Sequence, residues 1–199
     1  MTTTTHNSVL AEAILPLTGQ SMRVKQIILV IAGIAALALA AKIKIPMIPV
    51  PITMGTFAVL SIGAAYGIRL GLATIIGYMF IGALGFDVFA GSSADTFGLT
   101  YMMGGTGGYL VGYVLATLAL GWAARAGWDR SVPMMAFAML LGNVLIYVPG
   151  VAWLGVLYGF DQPILAWGLT PFLIGDALKL VLAALLVPAV WKMLGDARS

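Results

Sequence analysis

Asp176 and Lys179 are the residues whose types and spacing most plainly call for chemistry: an acid and a base three positions apart, well inside an apolar stretch from about Pro171 to Trp191. At i, i+3 they share one face of a helix and can offset one another. At the centre of a membrane span each costs about 2.5–3.5 kcal/mol on insertion scales. Such residues persist where their face turns from lipid toward a ligand, an ion path or another polar side chain. The pair is therefore a candidate site for a small polar solute or a proton relay. The structural alternative is an ion pair that fixes helix packing, with Asn143 as a further polar contact.

Two more stretches carry unusual chemistry. Lys42 to Thr53 holds Pro46, Pro49 and Pro51, which remove backbone donors and fix φ, so it must be extended and stiff. Asp87 to Gly104 holds Gly91, Ser92, Ser93, Asp95 and Thr96 and runs into Gly104-Gly105-Thr106-Gly107-Gly108-Tyr109. Small residues allow close backbone approach to a ligand, and the helix start that follows suits a carboxylate. Tyr147, Trp153, Tyr158, Phe160 and Trp167 surround a third loop, as interfacial belt residues or as pocket walls.

Other chemistries find no support. Cysteine is absent and the single His6 lies in a polar leader, so no nucleophile–base pair and no metal-ligand cluster can be drawn. There is no phosphate loop, since the glycines near Gly104 lack a following lysine. A net charge of +3 without a basic run does not point to nucleic acid. These features argue against an enzyme and against a resident cofactor.

The elements that position these residues follow from composition. Apolar residues make up 61% of the chain and charged residues 9%, against about 25% in a soluble domain, so lipid must solvate most of the surface. The expected fold is an all-α integral membrane protein with six transmembrane helices, at about Val24–Ala41, Ile52–Ile68, Leu70–Phe86, Gly105–Ala124, Val132–Trp153 and Pro171–Trp191. Residues 1–22 read as a polar leader, 23–194 as the membrane domain and 195–199 as a cytoplasmic tail. The first span reads as a retained helix rather than a cleaved signal peptide. Arg23, Lys25, Arg69, Arg125, Arg130, Lys192 and Arg198 fall on one side and Lys42 and Lys44 on the other, which predicts cytoplasmic termini and irregular Gly/Pro-rich outer loops. Ala32, Ala36 and Ala40 form a small-residue stripe suited to helix packing or partner docking; Gly104, Gly108, Gly112 and Ala116 form another, suited to internal packing.

Pro49-Val50-Pro51-Ile52-Thr53-Met54, Gly107-Gly108-Tyr109 and Gly175-Asp176-xx-Lys179, in this order and spacing, resemble the BioY family of biotin transport proteins from about Lys25 to Leu194. The resemblance implies the substrate-binding S component of an energy-coupling factor transporter in the bacterial inner membrane, with biotin as cargo. A transmembrane T protein and ABC ATPases would supply the drive, and Ala32, Ala36 and Ala40 would meet the T protein. It assigns Asp176 to the ligand's polar head, Lys179 as its neighbour, and Gly107, Gly108 and Tyr109 to the corner at the fourth helix. A carboxylate accepts ureido N–H groups, whereas the valerate carboxylate needs a helix N-terminus, a cation or hydroxyls such as Thr53, Ser92 and Ser93. Phe57, Phe89, Tyr147 and Trp153 would wall the apolar part. Gly55 and Leu110 depart from the family, which often has Gln at the first position and in some members a basic residue at the second. The competing classes are an ion-coupled carrier or channel for another solute, and an accessory membrane protein.

Overall fold

The structure, a computed structural model, describes residues 8–14, 22–91 and 96–196. It is almost wholly helical: α1 Leu10–Ile14, α2 Met22–Lys42, α3 Gly55–Ala83, α4 Gly98–Met102, α5 Gly107–Arg125, α6 Val132–Tyr158, α7 Ile164–Gly168 and α8 Leu173–Asp196. Among the described residues, five segments are long and apolar enough to cross a membrane: α2, α3, α5, α6, and the stretch Ile164–Gly195 that contains α8. The second and third expected spans share α3, which is broken at Gly67 (φ 71°, ψ −174°). That conformation is essentially reserved for glycine. A Cβ built on Gly71 would lie 3.7 Å from Gly63 Cα, although eight residues of continuous helix would separate them by about 12 Å. The chain therefore doubles back at Gly67.

The core is built by close backbone approach. Packing runs α2 on α3, α3 on α5, α5 on α6 and α6 on α8. Of the ladder expected to pack internally, Gly108, Gly112 and Ala116 do so, whereas Gly104 lies before α5 starts. A Cβ on Gly112 would sit 2.6 Å from Ile146 Cα, one on Gly108 would meet the Pro149 carbonyl oxygen, and Ala116 is fully buried. Pro149 interrupts the hydrogen-bond ladder of α6 without ending it, so α6 reaches Tyr158, beyond the expected Trp153. In α2 the inward face is Gly33, Leu37 and Ala41; Ala32 and Ala36 are exposed and Ala40 half-buried.

At one end, β1 (Lys44–Ile45) pairs antiparallel with β2 (Ile52–Thr53), Lys44 opposite Thr53. This pins the prolines between them into a short extended turn. At the opposite end, part of the segment read as a polar leader forms α1, and Val9, Leu10, Ala11 and Ala13 are buried. Val9 packs beneath Gly67, and Glu12 pairs with Arg125 at 3.0 Å. Nearby, Trp191 donates to Asp129 Oδ2 at 2.6 Å, and the Arg130 guanidinium lies 4.6 Å from the Trp191 ring centre. Burial raises the Asp129 carboxyl to about 6, against the lowering effects of Trp191 and Arg130. A raised acid favours the folded state while protonated, so this contribution is complete below about 3.8 and is lost as pH rises through about 6.

Candidate ligand-binding site

The first turns of α8 and α3 meet α6 around the Asp176–Lys179 pair. Lys179 Nζ lies 2.7 Å from Asp176 Oδ1, 2.6 Å from the Thr53 carbonyl oxygen and 3.2 Å from Thr56 Oγ1, donating to each. Thr56 donates to Asp176 Oδ1 at 3.1 Å, and the Tyr147 phenol donates to Asp176 Oδ2. The side chains of Lys179 and Asp176 are only 12% and 6% exposed. Burial at this depth requires such hydrogen bonding to offset desolvation.

Thr53, Thr56, Tyr147 and Lys179 form one end of a cavity of about 660 Å³, its open mouth included. Leu37, Ala41, Val50, Pro51, Leu110 and Phe172 give it apolar walls, and the tyrosines Tyr78, Tyr101, Tyr109 and Tyr113 also line it. Two of these phenols hold the frame. Tyr109 donates to the Gly168 carbonyl oxygen at 2.7 Å, and Tyr78 to that of Val88 at 3.0 Å. Burial pushes the Tyr101 phenol above its ordinary value, so it stays a neutral hydroxyl. The mixture of apolar walls and few convergent polar groups suits a small organic ligand with one polar end.

Phe89 roofs the cavity at 1% exposure, stacked on Tyr101 at 4.9 Å and edge-on to Tyr78 at 5.3 Å. Its loop is staked from α2 and β1. Lys42 pairs with Asp87 and donates to the Phe89 carbonyl oxygen at 2.9 Å, and Lys44 donates to that of Ala90. An outer vestibule shares Pro51, Ala90, Tyr101 and Thr106 with the cavity and adds Lys44.

Of the residues singled out from sequence, Thr53, Phe89, Tyr109, Tyr147 and Lys179 line the cavity. Asp176 stands directly behind Tyr147, Thr56 and Lys179 rather than in the wall. Gly107 and Gly108 instead receive Trp153, whose indole donates to the Gly104 carbonyl oxygen at 2.9 Å. Trp153 therefore buttresses the α5 corner. Phe57 packs into the main hydrophobic core away from the wall. Asn143 is buried outside the lining, and its amide oxygen has no hydrogen-bond partner among the described residues. Ser92 and Ser93 lie outside the described residues. Sequence reasoning passed over Thr56, Thr106, Tyr78, Tyr101, Tyr113 and Phe172; three of these are tyrosines, and no spacing in the sequence marks them as lining residues. The Gly55 departure has a local cause, since a side chain there would strike the Tyr113 hydroxyl at 2.8 Å. Leu110 is a buried cavity wall.

Comparison with known proteins agrees with this architecture. The sequence profile of the BioY family matches residues 12–196. A probable biotin transporter BioY of Pyrococcus horikoshii is 33% identical over 165 residues, which cover 83% of this chain and 95% of the relative. The biotin transporter BioY of Thermotoga maritima is 32% identical over 167 residues, 83% of this chain and 96% of the relative. A crystal structure of the S-component for biotin from an ECF-type ABC transporter matches with a TM-score of 0.71, over 88% of this chain and 95% of that one, at 20% identity, a likeness of fold. With a profile match along nearly its whole length and relatives above 30% identity, this multi-pass membrane protein belongs to the BioY family.

Proposed function

We propose that this protein captures biotin at the loop-bearing end of its bundle for uptake into the cell. The observation that carries the reading is the buried Asp176–Lys179–Thr56–Tyr147 network closing one end of an apolar, roofed cavity in a chain whose relatives are named biotin transporters. Biotin matches that division. Its cyclic urea suits the hydrogen-bonding end, its thioether ring the apolar walls, and its valerate carboxylate the vestibule side, where the Thr106 hydroxyl can donate and Lys44 supplies charge.

In this reading the two arms of α3 count as separate crossings, giving six. The distribution of Lys and Arg supports cytoplasmic termini and a cavity that opens toward the outside of the inner membrane. A transmembrane T protein and ABC ATPases supply the energy, and the exposed Ala32 and Ala36, with Ala40, form the face that meets the T protein. The protein performs no chemistry on biotin and holds it as cargo rather than cofactor. Isothermal titration of the purified protein is expected to show saturable, one-site binding of biotin. No heat and no saturation would reject the proposal.

A further inference from the structure

The polar end of the cavity can be read donor by donor. Lys179 directs its ammonium to the Thr53 carbonyl oxygen, Thr56 Oγ1 and Asp176 Oδ1, at 2.6, 3.2 and 2.7 Å. Thr56 donates its one proton to Asp176 Oδ1 at 3.1 Å, and Tyr147 donates its own to Asp176 Oδ2. An ammonium carries three donors and a hydroxyl one, so every donor in this cluster is engaged. What Tyr147 and Thr56 still offer the cavity is oxygen lone pairs. The Tyr147 ring is wedged between Tyr109, edge-on at 6.1 Å, and Phe172 at 6.0 Å, which limits any swing of its oxygen. Asp176, 5% exposed and absent from the wall, holds both hydroxyl protons from behind.

We infer that Tyr147 is a specificity-determining residue whose phenol oxygen accepts a ring N–H of the ligand, and that Asp176 is a positioning residue that fixes the direction of that bond. The inference rests on the biotin reading. A cyclic urea presents an N–H donor at each ring nitrogen. The corner formed by Tyr147 and Thr56, whose own protons are held by Asp176, offers only acceptors and takes such a donor, whereas a ring oxygen at the same place would set lone pair against lone pair. A site built to hydrogen-bond a ligand group discriminates strongly against analogues that lack it, because its own buried group is left unpaired.

The test titrates the purified protein with biotin and with the two cyclic carbamates in which one or the other ring N–H is replaced by oxygen. These are close isosteres, so the comparison reads donor against acceptor rather than size. The wild type is expected to bind biotin at least about tenfold tighter than one of the two carbamates. In Tyr147→Phe that ratio should fall toward one. Because each ratio is measured within one variant, a change in its stability does not enter. Asp176→Asn should also shrink the ratio, since an amide that donates to the phenol oxygen lets the phenol proton turn toward the ligand; it provides the same reading if the phenylalanine variant does not fold. A wild-type ratio retained in both variants, or a wild type indifferent to the replacement at either nitrogen, would overturn the inference while leaving biotin binding intact. A wild type that binds neither biotin nor the carbamates would overturn the biotin reading and this inference with it.

Discussion

Lys179 bridges three acceptors on three elements, so its loss removes more than a charge. Lys179→Met would leave the Asp176 carboxylate buried with only Tyr147 and Thr56 as donors. Breaking a buried pair from one side costs about 3–5 kcal/mol, whereas removing both charges is often close to neutral. The expected outcome is a large fall in thermal midpoint for Lys179→Met, partly restored in the double variant with Asp176→Asn, read from melting curves in detergent. An equal fall in both would mean that the charges are not coupled. The pair was legible in the sequence because charge in an apolar span is conspicuous. Tyr78, Tyr101 and Tyr113 were not: a tyrosine in a membrane protein reads first as an interfacial residue, and only the fold shows which phenols converge on a cavity. That Asp176 stands behind the wall was equally hidden, since i, i+3 spacing fixes a face but not a depth.

Among the elements, α5 and α6 are fitted backbone to backbone, and the fit is sensitive at Gly112. A Cβ there meets Ile146 Cα at 2.6 Å and carbonyl oxygens at 2.8 Å, groups that no rotamer change can move. Gly112→Val should destabilise the protein by about 1–3 kcal/mol. It should also weaken ligand binding, because Tyr109 and Tyr147 lie on the helices forced apart. Gly195→Ala, with open space around its site, should leave the melting midpoint within error and serves as the control. The glycine ladder of α5 was readable because its four-residue period matches helix geometry. The reversal at Gly67 was not: Arg69 marked the boundary between two spans, but nothing about one glycine among 25 says that it breaks a helix with a positive φ. Nor did the leader announce α1, whose few apolar residues gain their place from the underside of that reversal and from α8.

At the scale of the whole molecule, α2 divides its surface between duties. Gly33, Leu37 and Ala41 face the bundle, and Leu37 and Ala41 reach the cavity wall, while Ala32 and Ala36 lie on the outside. Replacing both Ala32 and Ala36 by Leu should leave biotin binding in detergent unchanged yet reduce co-purification of the ATPases from native membranes severalfold, because bulk on a smooth face prevents close helix approach. Unchanged recovery of the ATPases would move the docking face elsewhere. The reversal at Gly67 has a further consequence for the solvent. Its arms, Gly55 to Tyr66 and Ile68 to Ala83, span only about 18 and 24 Å, less than the roughly 30 Å of a typical hydrocarbon core. If each arm crosses by itself, as proposed above, neither matches an undisturbed bilayer, so lipid would pinch inward beside this hairpin, and thinner membranes would house the protein with less elastic cost than thick ones.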